Sequence, residues 1–198
     1  MKAQIIIALK IFILFTVLLG GIYPLVITGV AQLIFPEKAN GSLIAVDNKA
    51  VGSKLIGQKF DSDIYFSSRP SAIDYNPLPS GGSNLGLTSE KLKQQVDERK
   101  LQFVKANQIS ESEPVPAEML FASASGLDPH ISPDAAIMQV GRIENARKFN
   151  STQKQQLFQA INRLTEEPQF LFLGEFRINV LQLNLELDKI DVNHMNKN

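Results

Sequence analysis

The sequence contains no cysteine and only two histidines, His130 and His194. The first absence excludes thiolate catalysis, iron–sulfur ligation and disulfide staples. The second leaves too few imidazoles for an all-nitrogen metal site. Charge of one sign is also missing in excess, because 20 Lys and Arg stand against 20 Asp and Glu. A dedicated nucleic-acid binder needs a basic surplus to neutralise phosphates, so that class is set aside. What the chain does have is apolar content. Of its 198 residues 44% are hydrophobic and 20% charged, too apolar for a disordered chain and enough for one substantial domain with an appendage.

The apolar content is unevenly placed. From Ile11 to Phe35 there are 25 consecutive residues without a charge, and a helix of that length, about 38 Å at 1.5 Å per residue, crosses a hydrocarbon core of about 30 Å. Sixteen of the 25 are Leu, Ile, Val or Phe, which favour insertion by about 5 to 10 kcal/mol together. The segment is therefore predicted as a membrane anchor, residues 1–35, followed by a domain over residues 36–198. A cleaved signal peptide is the alternative, but its apolar core is shorter, roughly 7 to 15 residues. Gly20, Gly21 and Pro24 predict a bend or a close contact at mid-bilayer. Gly21, Leu25, Thr28 and Gly29 share one helical face with small residues at both ends, a groove for a second transmembrane helix.

Beyond the anchor, Leu43 to Val46 and Leu55 to Phe60 are candidate strands. Residues 65–89 hold three prolines and three glycines among polar residues without helical period, which predicts a long loop and a contact surface. Thr88 is placed as the cap of a helix running to about Asn107, and Pro116 as the start of a short helix through Ala124. Ser132 and Pro133 begin a helix ending near Phe149, and Ser151 another that lasts until Pro168. Leu181, Leu183, Leu185 and Leu187 alternate with polar residues, the period of a strand. The expected class is α+β.

Chemistry is sparse. Ser125, Asp128 and His130 are too close in sequence for a nucleophile–base set, and Asp128 and Ser132 read as turn and helix-cap groups. The acidic pairs Asp61 with Asp63 and Glu166 with Glu167 read as solvated charges. Gly81 to Thr88, GGSNLGLT, has P-loop spacing, but Leu87 stands where the phosphate-binding lysine belongs. The amides of Ser80, Gly81, Gly82 and Ser83 could form an anion-binding nest, although ordinary turn geometry explains them as well. The DKTGT phosphorylation sequence of P-type ATPases does not occur.

Five blocks carry a resemblance: GIYPLVITG, GSKLIGQKF, YFSSRPSAIDYNPLPSGGSNLG, VPAEMLFASASGLDPHISPDAA and NVLQLNLELD. With the first inside the predicted span and the others following it in this order, they resemble the C subunits of Kdp potassium-transporting ATPases. Ala124 stands where many relatives have Gly, and the tail after Asp191 takes no role from the family. The resemblance implies a non-catalytic accessory subunit of the bacterial inner membrane, single-pass, with a cytoplasmic amino terminus and a periplasmic domain. The implied partners are a channel-like potassium-binding subunit, a P-type ATPase subunit and a small membrane peptide. Family members are also described as catalytic chaperones that raise the ATP affinity of the pump subunit through a transient complex. Leu78 to Ser83, LPSGGS, resembles the signature loop of ABC transporters, which makes Ser80, Gly81, Gly82 and Ser83 the nucleotide-binding candidates. A periplasmic loop meets almost no ATP, and the competing expectation is an outer domain that caps the potassium entrance without nucleotide. Arg69, Asn84, Asp128 and His130 are the candidate partner contacts, and Gly20, Gly21, Pro24, Thr28 and Gly29 the helix-packing set. No stably bound cofactor is expected.

Overall fold

A computed structural model describes residues 2–195, with side chains described to Asp191; the His194 side chain and the end of the tail lie outside the described residues. The chain forms two units, one to Ser53 and one from Lys54.

The first unit is mostly one apolar helix, Lys2–Ile34, long enough to cross a membrane. It consists of α1 (Lys2–Val17), a π-helical turn (Leu18–Ile22) and α2 (Tyr23–Ile34). Pro24 has no N–H, so the carbonyl four residues earlier loses its partner. The π turn absorbs this, with the Tyr23 N–H reaching back to the Leu18 carbonyl. A short helix α3 (Pro36–Ala39) leads into an antiparallel hairpin of β1 (Leu43–Val46) and β2 (Lys49–Ser53). Asp47 and Asn48 take positive φ at its tip, as a two-residue hairpin turn requires.

The second unit is α+β, as expected. Its long helices are α4 (Glu90–Asn107), α5 (Pro133–Arg147), α6 (Ser151–Leu164) and α7 (Val180–Met195). They accompany a small antiparallel sheet of β3 (His130–Ile131), β4 (Thr165–Glu166) and β5 (Arg177–Asn179), in the order β3-β5-β4. The core joins Phe66 to Ile131, Ile143, Leu157, Ile161, Ile178, Leu183 and Leu187, all essentially inaccessible. Burying each such side chain stabilises the fold by roughly 1.5 to 3 kcal/mol.

Local signals placed the helix starts well. Ser132 caps α5 by accepting from the Ala135 N–H at 3.1 Å. For α6 the cap is Asn150, in a reciprocal box with Gln153. For α4 it is Ser89, not Thr88, because the Ser89 hydroxyl accepts from the Leu92 N–H. Three further expectations were wrong. Leu55 to Phe60 is not a strand; the partner of β1 is Lys49–Ser53, which the tight Asp47-Asn48 turn brings into register. Pro116 precedes only one 3-10 turn, Ala117–Met119. The leucine alternation near the end is helix α7. Its buried residues Val180, Leu181, Leu183, Asn184, Leu187 and Ile190 recur at three and four, and the period of two held only because half-buried Leu185 flanks that stripe.

Candidate functional site

Asp63 and Ile64 form a turn closed by the Tyr65 N–H on the Ser62 carbonyl at 3.0 Å, and Phe66 to Arg69 then run through the second unit outside any helix or strand among the described residues. Buried peptide groups still require partners, and here side-chain amides supply them. The Phe66 N–H donates to Asn184 Oδ1 at 2.8 Å, and Asn184 Nδ2 returns a bond to the Phe66 carbonyl at 3.0 Å. One residue on, the Ser67 N–H donates to Gln139 Oε1 at 2.8 Å, and Gln139 Nε2 reaches the Ser67 carbonyl at 3.4 Å. A carboxamide offers a donor and an acceptor side by side, so each of these buried residues stands in for a strand neighbour.

Two arginines of α5 fasten the preceding residues. Arg142 donates to the Asp63 carbonyl at 2.6 Å, to Asn107 Oδ1 at 3.0 Å and to Gln139 Oε1 at 3.0 Å. Its burial lowers its pKa, which the charge of Asp63 offsets only in part. Arg147 donates to the Ile64 carbonyl at 2.7 Å and pairs with Asp188 at 2.7 Å and with Asp191. Its guanidinium also lies 4.9 Å from the centre of the Tyr65 ring. Burial works against this cation, yet the two carboxylates of α7 outweigh it and raise its pKa.

Arg69 joins the long loop to the segment before β3. It donates to Asp128 Oδ2 at 2.7 Å, while Asp128 Oδ1 accepts the His130 N–H at 3.0 Å and lies 3.5 Å from His130 Nδ1. Burial pushes the Asp128 carboxyl up, but the side-chain and backbone bonds from His130 and the Arg69 charge bring it down to about 2. The Tyr75 hydroxyl donates to the Arg69 carbonyl, and burial raises this phenol to about 12.

The glycines explain how the two long motifs approach. The Gly81 N–H donates to the Ser125 carbonyl at 3.0 Å, and a Cβ on Gly82 would lie 3.1 Å from the Ala124 oxygen. Gly126 has φ +70°, and a Cβ there would come within 2.5 Å of Ile73. A Cβ on Gly57 would stand 2.5 Å from the Asp128 carbonyl oxygen. PSGGSNLG and SASGLDPHISP therefore pack backbone to backbone.

Arg69 lines two open grooves, each of about 420 Å³. Asp128, His130, Glu118 and Arg177 line one; Lys59, Tyr75, Arg99 and Arg142 line the other. Of the predicted contact residues, Arg69, Asp128 and His130 come together, whereas Asn84 is exposed with φ 53° and lines neither groove. Ser80 and Ser83 are exposed, and Gly81 and Gly82 half-buried. In the first unit, a Cβ on Gly20, Gly21 or Gly29 would meet no atom within 4 Å beyond its own helix's nearby backbone. Gln139, Asn184, Arg142 and Arg147 went unremarked in the sequence. Their signal is a polar residue set within a helix's apolar stripe, as Gln139 is set beside Ala136, Val140 and Ile143.

The family profile described as KdpC, K+-transporting ATPase, c chain, matches residues 5–189. The chain belongs to the KdpC family. Similar proteins bear the name potassium-transporting ATPase KdpC subunit. One from Koribacter versatilis is 46% identical over 190 residues, covering 95% of each chain. One from Geobacter sulfurreducens is 48% identical over 92% of this chain and 96% of its own. A third, from Pectobacterium atrosepticum, is 47% identical over 92% and 94%. Both interlocked motifs of this KdpC chain lie inside the matched region.

Proposed function

We propose that this KdpC chain is a non-catalytic, single-pass accessory subunit of a potassium-transporting ATPase in the bacterial inner membrane, with its amino terminus cytoplasmic and its second unit periplasmic. Its partners are the channel-like potassium-binding subunit, the ATP-hydrolysing P-type subunit and a small membrane peptide. It supports assembly of the complex, and it raises the ATP affinity of the hydrolysing subunit by holding the complex in a competent arrangement rather than by touching nucleotide. The observation that carries this reading is the open space at Gly21 and Gly29, which lie eight residues apart on one side of the helix. A Cβ at either position meets no other part of the chain, as close packing against another transmembrane helix requires.

Direct nucleotide contact at Ser80 to Ser83 draws less support from the geometry. A nest needs free amides, and the Gly81 N–H is already engaged with Ser125 while Gly82 is backed by the Ala124 carbonyl. The test has two parts. Gly21→Leu with Gly29→Leu is expected to reduce co-purification of the channel-like subunit and to raise the KM for ATP of what remains; unchanged assembly overturns helix packing. In sealed vesicles of known orientation, a photoreactive ATP analogue is expected to leave this chain unlabelled from either side. Labelling at Ser80 to Ser83 establishes direct contact instead.

A further inference from the structure

The connection between β4 and β5 exposes more apolar surface than any packing role explains. It reads QFLFLGEF from Gln169 to Phe176, and Phe170, Leu171 and Phe172 are 80%, 83% and 76% exposed, with Leu173 and Phe176 more than half exposed beside them. Isolated exposed apolar side chains are ordinary, but a contiguous set on one protrusion marks a contact with something apolar.

We propose that this tip inserts Phe170, Leu171 and Phe172 into the interfacial layer of the lipid bilayer that the N-terminal helix crosses. Three observations single out lipid. First, the tip carries its own hydrogen bonds. The Gln169 and Leu173 N–H groups bond reciprocally to each other's carbonyls at 2.9 Å, the Leu171 N–H reaches Pro168 O at 3.1 Å, and the Phe172 N–H reaches Gln169 O at 3.3 Å. Pairing these four N–H groups lowers the cost of bringing them toward lipid, and donors closed in this way are not offered to the edge of a partner's sheet.

Second, Phe170 and Leu171 hold φ of 54° and 69°. That backbone favours Asn or Gly at a hairpin tip, so apolar bulk is retained where conformation alone disfavours it. Third, the membrane span ends at Ile34 and the second unit starts at Lys54. Chain connectivity thus keeps the tip at high effective concentration near a bilayer surface, where shallow, weak insertion suffices. No charge falls between Pro168 and Gly174, and at the base Glu166 is paired with Arg177 at 3.0 Å. The attachment is therefore apolar, and it stands whether or not the domain reaches a potassium entrance.

The chain has no tryptophan, so Phe172→Trp creates a single reporter. The full chain is placed in nanodiscs of palmitoyl-oleoyl phosphatidylcholine, with and without phosphatidylcholine brominated at acyl carbons 6 and 7, and far-UV circular dichroism confirms the wild-type fold. Leu101→Trp, at an exposed position of α4, is the control. The expected result is that bromolipid quenches the indole fluorescence of the Phe172→Trp chain about twofold and that of the Leu101→Trp chain little, unchanged between low and high salt. Phe170→Trp serves if Phe172→Trp disturbs the fold. Absence of bromolipid quenching with free access of acrylamide overturns the proposal. So does protection from acrylamide that appears only on adding the other subunits and without bromolipid quenching, which assigns the tip to a protein groove.

Discussion

Arg69 and Asp128 meet at 2.7 Å, joining the long proline-rich loop to the segment that leads into β3. Asp128 also accepts the His130 N–H two residues on, so the carboxylate closes its own turn and anchors a distant stretch of chain at once.

The first prediction concerns that pair. Arg69→Ala and Asp128→Asn should each destabilise the full chain by about 1.5 to 3 kcal/mol, the range for hydrogen bonds to charged groups. The double variant should lose less than the sum, because either change alone already breaks the same contact. Chemical denaturation of the four proteins measures this, and strict additivity would refute the coupling.

Acid should act through the same carboxylate. Its folded pKa is about 2 against an ordinary 3.8, so the folded state holds the ionised form more firmly than the unfolded one. The stabilisation is complete above about pH 4 and is lost as pH falls toward 2. The melting temperature of wild type minus that of Asp128→Asn should shrink across this window and stay constant between pH 5 and 7.

Alkali tests Tyr75. With its phenol raised from 10.0 to about 12 by burial, the unfolded chain loses the proton first, so stability present below pH 10 should be lost between about pH 10 and 12. Tyrosinate absorbance at 295 nm should show a late-titrating component that Tyr75→Phe diminishes, since burial also raises Tyr65.

The carboxamide clamps make a sharper prediction. Asn184→Leu fills nearly the same volume but strands the Phe66 N–H and carbonyl, and Gln139→Leu does the same at Ser67. Each should cost about 2 to 4 kcal/mol, since every buried group left unpaired costs about 1 to 3. Hydrogen exchange at residues 66 and 67 should accelerate well before global unfolding.

Glycines should divide into two sets. Gly57→Ala and Gly126→Ala place a Cβ 2.5 Å from backbone or side-chain atoms and should lower stability by more than about 1 kcal/mol. Gly20→Ala and Gly29→Ala meet nothing, so the isolated chain should keep its stability. A loss seen with these only in the assembled complex would locate the cost at a partner helix.

By itself, the amino-acid sequence determined the long apolar N-terminal helix, because 25 uncharged residues suit a helix long enough to cross a bilayer. It also determined the starts of α5 and α6, where a cap and a proline or glutamine act within one helical turn. Those are short-range effects, legible in adjacent letters. Only the tertiary structure decided that Leu181 to Leu187 is helical, since strand and helix patterns both fit seven residues and packing against α6 and β5 chose between them. The same holds for the site. Arg69, Asp128 and His130 were visible as residues, but their meeting, and the use of Gln139 and Asn184 as substitute strand edges, depend on burial of peptide groups that no local pattern encodes.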